Sequence, residues 1–303
     1  MGLSRRTGLV AAVLIAAAAA GFVLWRWAPW RRADARALLA GLPPGDGLTV
    51  FVDARALRQT GILQRIAGEA GAGDEEYRRF VEATGFEYRR DLDAVVLRGE
   101  NGRRWIVVEA QLDEDRLRRY FLAHGGRCFG GLCSMQGSMP ERQISWVRLG
   151  RGRWGIAVSP DPLAAAAFTD EARKPISAEW QPPDAPLWLY VPGSMLKAPE
   201  GAPAWVAVAL DGLRESKWVL WSAGASGGRI HLNMQVACRD GETARMMAGR
   251  WEEVLKALRE AAAAAGDRDS LPALLAQGQI RADGAFVRGQ WQFEWRRLEK
   301  LFE

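Results

Sequence analysis

Residues 217–237 read KWVLWSAGASGGRIHLNMQVA, and this stretch decides the fold class. From Arg229 onward, Ile230, Leu232, Met234 and Val236 alternate with Arg229, His231, Asn233 and Gln235. A period of two marks a strand with one buried face and one polar face. Lys217–Ala223 is a second apolar run, and Gly224-Ala225-Ser226-Gly227-Gly228 separates the two. Glycines supply the positive φ that a tight reversal needs, so the stretch reads as an antiparallel hairpin.

Reading outward, a long helix is expected from about Gly241 to Ala265, then a strand pair near Gln279–Arg281 and Ala285–Trp295. Upstream, Leu187–Val191 reads as a strand and Ala204–Leu213 as a helix. The first half repeats the pattern. Leu48–Asp53 is a strand, and helices follow at Arg55–Ala67 and Asp74–Ala83. A hairpin of Ala94–Arg98 and Arg103–Ala110 turns at Asn101-Gly102, a pair suited to positive φ. Asp113 caps a helix reaching about His124, with Leu117, Tyr120 and Phe121 on one side. Ile144–Leu149 then pairs with Arg153–Val158, and Ser159-Pro160 opens a helix through Phe168. The order strand, helix, hairpin, helix, hairpin thus occurs twice, although identity between the halves is negligible. The expected class is α+β: two similar domains, each an antiparallel sheet backed by helices on one face. Their bounds are 45–173 and 187–303, with a Pro-rich connector at 174–186.

The amino-terminal part has a different character. Thr7–Trp25 is 19 residues without a charge. As a helix it would span roughly 28 Å, near the ~30 Å of a bilayer core. Trp25, Trp27 and Trp30 gather at its far end beside Arg26, as indoles and arginines do at a headgroup zone. Residues 1–29 are therefore expected to be a transmembrane anchor, and 30–44 a stalk helix and linker ending at Gly41-Leu42-Pro43-Pro44-Gly45. A cleaved signal peptide is the rival reading, with Ala18 and Ala20 before Gly21. The short basic tail (Arg5, Arg6) before an apolar core resembles an export signal, so the bulk is expected outside the cytoplasm, at a bacterial inner membrane.

Composition narrows the rest. The 303 residues are 49% hydrophobic and 25% charged, a globular profile. Lys and Arg number 41 against 36 acidic residues, too even for a nucleic-acid binder. The 36 Arg to 5 Lys suit a GC-rich bacterium. No phosphate-binding glycine loop, dinucleotide fingerprint, zinc motif or calcium loop occurs, so no cofactor is expected.

Several constellations invite chemistry and fall short of it. Gly224–Gly228 matches G-x-S-x-G, but a hydrolase needs that Ser on a strand-to-helix elbow, and here it lies between strands. Ser194 and Lys197 match S-x-x-K inside a short loop between Pro192 and Pro199. Cys128 and Cys133 flank Phe-Gly-Gly-Leu, open to a small disulfide loop, to free thiols, or, with His124, to a metal. Glu109 shares a strand face with Trp105 and Val107, the least comfortable carboxylate of the chain. Asp91 and Asp93 bracket Leu92 and read as turn caps. Eleven of the 14 Trp lie beyond the anchor, mostly in strands, where core packing competes with an exposed aromatic platform.

Leu42–Asp53, LPPGDGLTVFVD, resembles the Leu-Pro, small-polar, strand-ending-in-Asp opening of uncharacterised exported bacterial proteins. Thr84-Gly85-Phe86 followed by Arg90-Asp91-Leu92-Asp93 is similar to their TGF…DLD segment. The resemblance covers about a tenth of the chain and implies an exported globular part behind a signal or anchor. It implies no catalytic residue. The expectation is a membrane-anchored extracytoplasmic protein that contacts the bilayer through its first helix and binds an envelope component. An envelope hydrolase without a local motif is the alternative.

Overall fold

The structure, a computed structural model, describes residues 33–63, 75–139, 141–169, 180–196, 213, 215–266, 270–294 and 296–297. The expected anchor Thr7–Trp25, the expected helix Ala204–Leu213 (Leu213 apart) and residues 174–179 of the connector lie outside these residues. Among the described residues, no helix is long and apolar enough to cross a membrane.

Asp34 opens helix α1 (Ala35–Leu39), its carboxylate accepting the Ala37 N–H at 3.1 Å. Strand β1 (Leu48–Val52) runs to Asp53, which caps α2 (Ala54–Gln59) in the same way through the Ala56 N–H at 2.8 Å. The helix expected over Arg55–Ala67 is interrupted after Gln59, where Gly61 turns to φ 73°; Ile62 and Leu63 are helical again, and 64–67 lie outside the described residues. Then come α3 (Glu75–Thr84), the single turn α4 (Tyr88–Asp91) and the hairpin β2 (Leu92–Glu100) and β3 (Arg103–Ala110). Asn101 and Gly102 both take positive φ at its turn, as their sequence demands. Asp113 caps α5 (Glu114–Ala123). A small hairpin, β4 (Arg127–Phe129) and β5 (Leu132–Gln136), precedes β6 (Gln143–Gly150) and β7 (Arg153–Ser159). The helix expected through Phe168 is a 3-10 segment, Ala164–Thr169.

The second half holds β8 (Leu187–Pro192), β9 (Trp218–Ser226) and β10 (Arg229–Ala237). Long helix α6 (Gly241–Ala265) is capped by Asp240 and ends at Gly266 with φ 67°. Short α7 (Leu271–Leu275), β11 (Gln279–Asp283) and β12 (Phe286–Glu294) complete it.

The fold is mixed, an antiparallel sheet with helices. The 12 strands among the described residues form one sheet, in the order β11-β12-β10-β9-β8-β1-β2-β3-β7-β6-β5-β4. The two expected domains thus share a sheet, joined where β1 pairs with β8, and Asp34–Glu303 forms one compact unit. Pairing the two inner strands leaves no unsatisfied edge between the halves. Outward from that joint, one side runs β1-β2-β3-β7-β6 and the other β8-β9-β10-β12-β11. Both sides place their strands in the same order, with β5 and β4 added on the first.

Following the register from Ile106 through Leu97, Val50, Leu189 and Trp221 to Met234 stays on one face. In the second half this face is filled: Met234, Val236 and Trp291 pack against Ala244, Met247 and Leu255 of α6. The Trp291 indole N–H donates to the Leu275 carbonyl at 2.8 Å. In the first half the same face carries Val108, Trp146 and Trp154 under Leu117 and Phe121 of α5.

Candidate functional site

Helix α5 presents Leu117, Tyr120 and Phe121 at i, i+3 and i+4, and all three are buried. Its end is closed by His124, whose Nδ1 lies 2.7 Å from the Tyr120 carbonyl oxygen. Helix α3 is also amphipathic, with Tyr77, Phe80, Val81 and Thr84 along one side. Yet Tyr77, Phe80 and Val81 are only half-buried. The helix leans on α5 through an edge-on contact of Phe80 with Tyr120, 5.2 Å between centroids.

The joint that suspends α3 is built from the Thr84–Asp93 segment. Thr84 Oγ1 donates to the Phe80 carbonyl at 2.7 Å and accepts the Phe86 N–H at 3.2 Å. The Tyr88 N–H donates to Tyr77 Oη at 3.3 Å. Asp91 accepts the Glu87 N–H at 2.8 Å and takes two bonds of 2.7 Å from the Arg90 guanidinium. Arg90, with help from that backbone N–H, holds the Asp91 carboxyl below its ordinary range against the opposing effect of burial. Asp93 pairs with Arg55 of α2 at 2.6 Å. Asp91 therefore caps and clamps its turn, as expected, whereas Asp93 is a residue of β2 engaged with Arg55 rather than a turn cap.

Between α3, α5 and the sheet lies a cavity of about 500 Å3. Its floor is Val95, Val108, Ile144, Trp146, Trp154 and Ile156. Leu117, Tyr120 and Phe121 form one wall, and Tyr77, Phe80 and Tyr88 the cover. Glu76 is the sole charged residue of the lining among the described residues. Burial raises the Tyr77 and Tyr120 phenols above their ordinary value, so both stay neutral at physiological pH. The volume falls within the roughly 300–1,000 Å3 of small-molecule sites. An apolar hollow of this size, carrying the phenols of Tyr77, Tyr88 and Tyr120, has room for a ligand.

The residues singled out in the sequence are scattered. Trp25, Arg26, Trp27 and Trp30 lie outside the described residues. Cys128 and Cys133 stand opposite each other across β4 and β5, and their sulfurs are bonded. Cys133 also faces Trp146 in the next strand, so the bond backs onto the cavity floor. Among the described residues no cluster of His, Cys, Asp and Glu is placed to hold a metal. Glu109 faces Arg153 at 3.7 Å. Ser194 sits in a 3-10 turn, Gly193–Met195, and Lys197 lies outside the described residues. Ser226 Oγ comes within 2.8 Å of His231 Nε2 as a diagonal pair of the hairpin, both at the surface and with no carboxylate on the ring among the described residues. No described tryptophan is exposed, which removes them as an open platform.

Sequence reasoning missed the cavity. The one signal available was the short α3 segment, whose apolar residues fall on a single side between charged ones.

No family model matches the chain, and no curated protein matches it. Solved structures of TP0453 are similar. Crystal form III is 8% identical, covering 87% of this chain and 96% of that chain with a TM-score of 0.47. Crystal form I is 9% identical, covering 88% and 96% with a TM-score of 0.43. At such identities and scores the likeness establishes neither family nor function.

Proposed function

We propose that this chain is a membrane-tethered, extracytoplasmic binding protein of the bacterial envelope, and that its site is the apolar cavity beneath α3. The observation that carries the reading is the hollow itself: the topologically equivalent face of the second half is filled by α6, whereas here half-buried Phe80, Val95, Ile144 and Ile156 surround open space. Apolar side chains left facing a void forgo burial and dispersion energy that a bound apolar molecule restores. The tether is the uncharged Thr7–Trp25 segment with Trp25, Arg26, Trp27 and Trp30 at its edge. The Cys128–Cys133 bond suits an oxidising compartment outside the cytoplasm. The matching strand order around the β1–β8 joint supports an origin of the two halves by duplication, after which one half kept a hollow.

Two measurements test the reading. Carbonate washing of membranes holding the full chain should leave it in the pellet; release into the wash would remove the tether. A polarity-sensitive naphthylamine should brighten on the purified chain and lose that signal when Ile156→Trp fills the floor. Equal brightening in the variant would show that the dye binds elsewhere.

A further inference from the structure

We infer that the cavity takes a single-chain amphiphile tail-first, its hydroxyl or carbonyl oxygen bonded to Tyr120 Oη and its hydrocarbon chain lying over the apolar floor. The inference rests on the cavity being the binding site and adds the chemistry and the direction of what fills it.

Three phenols line the hollow, those of Tyr77, Tyr88 and Tyr120. Two are engaged within the chain. Tyr77 Oη accepts the Tyr88 N–H at 3.3 Å, and Tyr88 Oη accepts from Arg89 Nε at 3.2 Å. Tyr120 Oη has no hydrogen-bond partner among the described residues. Yet Tyr120 is only 8% exposed, and its ring is held by Phe80 at 5.2 Å, Phe121 at 6.3 Å and the His124 imidazole at 4.1 Å. A buried tyrosine ordinarily finds a partner for its hydroxyl. This oxygen has none, and it is not one of the unpartnered polar atoms closed to water, so a small group entering the hollow can still reach it. Trp146 and Trp154 differ: their Nε1 atoms are closed off, so they give the floor ring surface and no donor.

The direction follows from where that oxygen stands. The Tyr120 phenol feels Glu76 and Arg79, both exposed in the first half of α3. The hydroxyl therefore lies on the solvent side of the hollow, beneath the start of that helix. The floor is its opposite, with Trp146 and Trp154 at 1% and 2% exposure beside Val95, Ile144 and Ile156. A hydrocarbon tail gains by covering this floor, whereas a polar oxygen carried onto it would lose its water and find no partner. A chain that enters tail-first keeps its oxygen at the one open phenol and leaves any larger head group in water.

The test is displacement of the cavity-bound naphthylamine from the delipidated full chain in amphipol by 1-dodecanol, 6-dodecanol and dodecane. Tyr120→Phe keeps the ring and deletes the hydroxyl. It should weaken 1-dodecanol about fivefold and leave dodecane unchanged, one neutral hydrogen bond being of that order. Tyr77→Phe removes a phenol that is already engaged and should produce no such selective loss. On the unaltered chain, 6-dodecanol should displace the dye about tenfold less well than 1-dodecanol, because its mid-chain hydroxyl is carried onto the floor. That comparison holds even if a Tyr120 variant fails to fold. Equal losses for alcohol and alkane, no loss in Tyr120→Phe, a selective loss in Tyr77→Phe, or 6-dodecanol as good as 1-dodecanol each overturns the Tyr120 assignment and leaves the cavity reading standing. Displacement by none of the three defeats the cavity reading itself.

Discussion

Phe51 of β1 and Trp188 of β8 face each other across the strand pair that joins the two halves, and their rings stack with centroids 5.4 Å apart. Both are fully enclosed, at 2% and 0% exposure. Because the joint belongs to one continuous sheet, damage there should be felt on both sides. Trp188→Ala is expected to cost about 3–5 kcal/mol. Calorimetry should show one transition shifted downward as a whole; two separate transitions would mean the halves melt independently. Trp188→Phe, which removes only a ring and an unpartnered N–H, should cost much less.

Filling the cavity should stabilise the ligand-free chain. Ile144→Phe extends a floor residue into open space, and a gain of about 0.5–2 kcal/mol is expected. A rise in melting temperature together with loss of dye binding is the paired signature. A drop in stability would show the space too confined for the ring.

Gly155 has no side chain because Phe168 occupies the position. A β-carbon there would stand 2.7 Å from the ring Cγ and 2.8 Å from Cδ2. Phe168 is itself fully buried and cannot swing away. Gly155→Ala is expected to cost about 1–3 kcal/mol by overpacking. Combining it with Phe168→Leu should cost less than the sum of the two single changes, measured by chemical denaturation.

The Asp91 clamp makes a pH prediction. Arg90 and the Glu87 N–H lower its folded-state pKa, so the unfolded chain takes up that proton first as pH falls. Its contribution is therefore complete above about pH 5 and is lost as pH drops below roughly 4. Asp91→Asn should cost about 1.5 kcal/mol at pH 7. The gap between the two proteins should close in acid; a gap that widened there would reverse the assignment.

Reduction of Cys128–Cys133 reopens a loop of sequence separation 5. Chain entropy for so short a closure gives about 2 kcal/mol. Phe129, 91% exposed at the tip of that hairpin, offers little packing to compensate. Hydrogen exchange should therefore accelerate first in β4 and β5 on reduction, before the central strands respond.

Much of this architecture is legible residue by residue. Alternation in Arg229–Ala237, the Asn101-Gly102 turn and the aspartate caps at 113 and 240 all act over a few residues, so local sequence specifies hairpins, helices and their order. The uncharged Thr7–Trp25 run is likewise a local property. What local sequence does not carry is pairing between distant strands: β1 with β8 is settled by which edges would otherwise stay unpaired, and Thr49 and Tyr190 are 141 residues apart. Nor does it carry empty space. Trp146 and Trp154 look like any buried indoles in a strand, and Tyr77 and Phe80 like any helix face. Only the tertiary packing leaves a hollow between them, because a cavity is the volume that no residue occupies and depends on how distant elements meet.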